Sequence, residues 1–185
     1  AQEVEPLIPV DTVQPEMILP FEPNHVWAFT GGPHAAWSSA DVWAALDFAP
    51  ASDKTGCYVS EKWVVASMAG RVIRSGNGVV VIDQDDDGYE QTGWTLLYLH
   101  IADEDRIPIG SWVNVGDRIG HASCLGGRST GTHVHMARRY NGEWVPADGP
   151  LPFTLSGWEA KAGTVAYKGW LVRDDQIIYA NTAST

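Results

Sequence analysis

Only two of the 185 residues are cysteine, too few for a disulfide scaffold or a thiolate zinc cluster. An even pair still leaves room for one bridge, and a bridge implies an oxidising compartment. Basic residues are scarce as well. Twelve Lys and Arg face 23 Asp and Glu, giving a formal charge of -11, which repels a phosphate backbone and argues against nucleic acid as a partner. No apolar run approaches the roughly 20 residues of a membrane span. Hydrophobic residues make up 44% and charged residues 19%, which is not the composition of a disordered chain. What remains is a globular protein of a size suited to one domain.

Glycine, proline and tryptophan are plentiful, at 19, 11 and 9 residues. With many Val, Ile and Thr they suit short strands and tight turns. The expected fold is mostly β: a compact, antiparallel sheet or barrel-like single domain. Pro6, Pro9, Pro15, Pro20 and Pro23 bar regular helix and central strand from residues 1–24, which read as an extended arm. The body spans residues 25–157, with apolar strands at 26–29, 45–48, 63–66, 71–74, 79–82 and 94–99. Ser75-Gly76-Asn77-Gly78 supplies the positive-φ residues of a tight hairpin. Residues 107–122 read as two short strands around Gly116-Asp117, residues 133–138 as another, and Asn141-Gly142 as a turn. Residues 158–185 form a β extension packed on the same domain.

His133-Val134-His135 is the first chemical candidate. On a strand the side-chain period is two, so both imidazoles project from one face and two nitrogens can address one ion. Alone, a His-x-His pair is more often two packing histidines than a metal site. Asp47 interrupts the apolar run Ala44-Ala45-Leu46-Asp47-Phe48-Ala49, where a carboxylate is costly unless paired or metal-bound. His34 lies in the glycine-containing stretch Thr30-Gly31-Gly32-Pro33-His34, read as a loop able to deliver an imidazole. His100 ends the strand of residues 94–99, where sites gather.

These residues together resemble the zinc metallopeptidases of the lysostaphin-like and β-lytic group, which hydrolyse peptides of bacterial peptidoglycan. Ser129-Thr130-Gly131-Thr132-His133-Val134-His135 resembles that family's Ser-Thr-Gly-x-His-x-His segment. Leu46-Asp47-Phe48-Ala49-Pro50 resembles its aspartate strand, and Tyr98-Leu99-His100 its Tyr-x-His strand. The commoner branch places a histidine four residues before the aspartate, where this chain has Trp43. His34, thirteen residues ahead, fits the longer spacing of the β-lytic, staphylolysin-like branch, with His25 as the lesser substitute.

The resemblance implies that His34, Asp47 and His135 hold zinc in a groove bordered by long loops, with His100 and His133 as catalytic acid and base. Three protein ligands and an open position are what a catalytic zinc site needs. It also implies a secreted or cell-wall-associated, monomeric endopeptidase acting on peptidoglycan peptides, glycine-containing ones among them, without a membrane span. Cys57 and Cys124 would then bridge and pin the loop before His133.

Asp83-Gln84-Asp85-Asp86-Asp87-Gly88 carries acids at alternate positions before glycine, like the opening of a calcium loop, with Asp83, Asp85 and Asp87 as ligands. The twelfth position is Trp94 rather than glutamate, and flanking strands exclude an EF-hand. A solvated hairpin turn is the favoured reading of this segment. Two other functions fit the composition: a non-hydrolytic wall-binding or activating module on the same fold, and a carbohydrate-binding β-domain using the tryptophans.

Overall fold

The computed structural model describes residues 6–38 and 42–181; the first five residues of the arm lie outside them. The described chain is all β. Its strands are β1 (Trp27–Ala35), β2 (Trp43–Pro50), β3 (Trp63–Val65), β4 (Gly70–Gly76), β5 (Val79–Asp83), β6 (Trp94–Leu99) and β7 (Trp112–Val113). Then follow β8 (Arg118–His121), β9 (Val134–Tyr140), β10 (Glu143–Trp144), β11 (Thr154–Leu155), β12 (Trp158–Ala162), β13 (Gly169–Arg173) and β14 (Gln176–Tyr179).

The main sheet runs β1-β2-β9-β6-β5-β4-β7, with β10 added to β9. All its pairings are antiparallel, and Asn77 and Gly78, both at positive φ, make the β4–β5 hairpin. Strands β11 to β14 form a second sheet and β3 with β8 a third. No helix among the described residues is long and apolar enough to cross a membrane.

Alternation along the central strands divides the sheet into two faces. Leu46 and Phe48 of β2, Leu96 and Tyr98 of β6, and Val134 and Met136 of β9 enter the main core. Ala45, Leu97, Leu99 and Ala137 take the other face, beside Asp47 and His135. Strand β9 lies between β2 and β6, so every residue of the Asp47, His135 and Leu99 row is set by ladder bonds on both sides of β9.

The arm is stitched to the body. Val65 N–H donates to Pro20 O and Ile18 N–H to Ser67 O, and Met17 is buried. Fully buried Arg138 binds the Gln14 side chain and the carbonyls of Pro146 and Leu151. The second sheet packs on β1 through Phe153, Leu155, Trp158, Ala160 and Leu171, which join the main core.

Candidate metal centre

His34 stands on β1, in a segment the sequence suggests is a loop but which is strand. Three register shifts bulge β1 between Phe29 and Ala35. Bulges re-aim side chains, and here they bring the imidazole over β2. Gly31 pairs with Asp47, and a Cβ there would lie 2.4 Å from Asp47 Oδ2. The glycine is required because the carboxylate occupies the space a side chain would fill.

The donor atoms converge. His34 Nε2 lies 3.1 Å from His135 Nδ1 and 3.3 Å from Asp47 Oδ1, and His135 Nδ1 lies 3.1 Å from the same oxygen. All three residues are buried. Backbone carbonyls fix the tautomers: His34 Nδ1 donates to Gly32 O at 2.8 Å, and His135 Nε2 to Ala36 O at 2.9 Å. A carbonyl can only accept, so these nitrogens carry the hydrogens and the lone pairs of the other two face inward. Two imidazole lone pairs and a carboxylate oxygen in mutual contact repel one another unless a cation sits among them. Nitrogen and oxygen donors with one negative charge suit zinc.

Burial works against ionising Asp47, but positive charge beside it outweighs burial: when protonated, the His135 and His34 rings donate to the carboxylate and hold it well below the usual carboxylate range. His135 is also buried, yet contact with Asp47 raises its pKa. These directions express one attraction, between a carboxylate and whatever positive charge occupies the cluster.

His100 and His133 lie alongside, their rings 4.5 Å apart. His133 Nε2 is 3.8 Å from Asp47 Oδ1, and its Nδ1 donates to Gly131 O at 2.8 Å with Ser129 Oγ at 3.3 Å. His133 precedes β9 rather than lying within it, joined to Ser123 by a single bridge. His100 follows β6 with φ 69°. Strand parity alone would send residue 100 to the Tyr98 side, into the core; the left-handed turn aims it at His133. Its Nδ1 donates to Leu125 O at 2.9 Å. Burial, then His133, pushes its pKa down to about 4.

Cys57 and Cys124 are joined in a disulfide. Beside it Thr132 N–H donates to Gly56 O at 3.0 Å, and Tyr58 N–H to Thr132 Oγ1 at 2.8 Å. The bridge thus clamps the residue immediately before His133. His25 is exposed and paired loosely with Glu22 at 4.0 Å, apart from the cluster. His121 packs on Trp63.

The family model of Peptidase family M23 matches residues 50–147. The chain belongs to peptidase family M23. His100, His133 and His135 fall inside the match, while His34 and Asp47 stand just before it. No curated protein matches the chain. Among solved structures, the M23 metalloprotease pseudoalterin, from the deep sea, superposes with a TM-score of 0.72 at 23% identity, over 89% of this chain and 94% of that one. A zinc-containing peptidase from Vibrio cholerae gives 0.50 at 21%, over 75% of this chain and 41% of that one. A chain of the SpoIIIAH and SpoIIQ complex gives 0.51 at 17%, over 70% and 96%. At these identities the likeness shows the M23 fold.

Two participants carry no sequence signal. Tyr167, between β12 and β13, stacks on His34 with ring centroids 4.0 Å apart. Its backbone ties down the same segment, with Gly32 N–H donating to Tyr167 O at 2.9 Å and Tyr167 N–H to Pro33 O at 3.2 Å. Ser129 lies in the quoted motif, but nothing there shows that its hydroxyl sits beside His133.

Asp83, Asp85 and Asp87 lie at the β5–β6 turn, toward the opposite end of β6 from Leu99 and the histidines. Asp85 and Asp87 are exposed, as a solvated turn requires, but Asp83 is fully buried. The reading of a wholly solvated turn is corrected there, because β5 stays paired with β6 through Asp83, opposite Thr95.

Proposed function

We propose that this M23 peptidase is a secreted zinc endopeptidase that cleaves peptide bonds of bacterial peptidoglycan. The observation that carries the reading is the three-way convergence of His34 Nε2, Asp47 Oδ1 and His135 Nδ1, with two further imidazoles alongside. His34, Asp47 and His135 would hold the ion. Bound there, zinc supplies Lewis acidity and a water that ionises near neutral pH.

The remaining chemistry belongs to the chain. His100, depressed to about 4, is neutral at working pH and able to accept a proton. His133 faces the same space with Nδ1–H tied to the backbone, leaving Nε2 to exchange protons with the reacting groups. One histidine takes the proton from the attacking water on its Nε2 and passes it, by way of the other ring's Nε2, to the departing amine. The disulfide agrees with an oxidising, extracytoplasmic setting.

Digestion of purified peptidoglycan by the zinc-loaded protein tests this reading. New amino termini should appear, and should not appear with His135→Ala. Zinc-loaded protein that binds the wall but releases no termini would make the chain a binding module instead.

A further inference from the structure

We propose that Asp83, Asp85 and Asp87 form a calcium site at the β5–β6 turn, separate from the histidine cluster. Asp83 has 0% exposure. Its Oδ2 accepts a hydrogen bond from Gly88 N–H at 2.9 Å, and its Oδ1 has no hydrogen-bond partner. A buried carboxylate oxygen left without a donor is costly unless it meets a positive charge.

The arginines about the turn do not supply that charge. Arg71 binds Asp86 through Nε at 2.8 Å and Nη2 at 3.0 Å, and Arg74 and Arg139 both bind Glu90. Asp83 instead meets more negative charge: one oxygen from each of Asp83, Asp85 and Asp87 lies within 4.8 Å of the others. Burial, reinforced by Asp85 and Asp87, pushes the Asp83 pKa up to about 6.

The donor set selects the ion. It offers oxygen and no imidazole or thiolate, which favours a hard cation over zinc. Exposed Asp85 and Asp87 leave an open side where water can complete a large, irregular shell, and that tolerance is calcium's rather than magnesium's. Tyr89 N–H and the Thr92 hydroxyl bind Asp87, and Asp87 N–H binds Asp85, so the loop already holds its carboxylates together. Trp94 stands where an EF-hand has its bidentate glutamate. The affinity should therefore resemble that of extracellular calcium modules, with Kd about 0.1–1 mM.

The test uses zinc-loaded protein dialysed against calcium-free buffer and titrated with calcium chloride. Calorimetry should find one site, and 10 mM calcium should raise the unfolding midpoint by about 3 °C or more. The double variant Asp85→Asn/Asp87→Asn, altered only at exposed positions, should lose that rise. Asp47→Ala should keep it, which separates the site from the histidines. Asp83→Asn should melt at or above the wild type in calcium-free buffer and ignore calcium. No midpoint shift in the wild type, an equal shift in the double variant, or an equal shift with magnesium would overturn the proposal.

Discussion

The ring of Tyr167 lies over His34 at 4.0 Å between centroids and 21° between planes, so a residue of the C-terminal region packs directly on the His34, Asp47 and His135 cluster. The His34 tautomer is set by Gly32 O, but the ring's tilt is set by Tyr167. Tyr167→Ala should weaken zinc binding by about tenfold, the lower end of what outer-shell changes cost. Tyr167→Phe, which keeps the stack, should bind like the wild type. Competition against a chromophoric chelator measures both, and equal affinity in all three proteins would remove Tyr167 from the site.

Gly31→Ala places a methyl where Asp47 Oδ2 stands. The clash should destabilise the fold by about 1–3 kcal/mol and lower zinc occupancy by displacing the carboxylate. Denaturant unfolding and elemental analysis read the two effects, and full occupancy would mean that Asp47 adapts.

His100 and His133 should separate binding from turnover. His100→Ala and His133→Ala should keep zinc and lose activity by about two to four orders of magnitude, the usual scale for an acid-base group. His135→Ala and Asp47→Ala should lose metal and activity together. Metal loss in His133→Ala would make that residue a ligand.

The depressed pKa of His100 predicts a pH dependence of stability. Its ordinary value is 6.5 and its folded value about 4, so below pH 6.5 the unfolded chain takes up the proton more readily than the folded one. Stability is full above that pH, falls as pH drops toward 4, and levels off below. The loss attributable to this ring is at most about 3 kcal/mol. His100→Gln should flatten the curve of unfolding free energy between pH 6.5 and 4, and an unchanged slope would refute the assignment.

Some of this was open to reading in the residues themselves. Asp47 stands out as a carboxylate in an apolar run, and Asn77-Gly78 marks the β4–β5 hairpin through turn chemistry. Motif resemblance directs attention to His34, His100, His133 and His135. The fixing of their tautomers was not legible, because Gly32, Ala36, Leu125 and Gly131 act through carbonyls that every residue has. The bulges of β1 and the left-handed turn at His100 are tertiary choices that override strand parity. Tyr167 is one of six tyrosines, and only the packing of the second sheet on β1 singles it out. The acidic neighbours of Asp83 in the chain read as a solvated turn, whereas the residue is paired with β4 on one side and β6 on the other.

The Cys57–Cys124 bond also changes what it takes to bring the donors together during folding. Asp47 and His135 are 88 residues apart, and the disulfide bypasses 67 of them, leaving a connecting path of about 21 residues. A loop shortened roughly fourfold closes at about 1 kcal/mol less entropic cost. An oxidised chain therefore starts with Asp47 and His135 already tethered through a short path, whereas a reduced chain must find that encounter by diffusion over the whole span. The bridge thus favours the meeting of Asp47 and His135 whether or not an ion holds them.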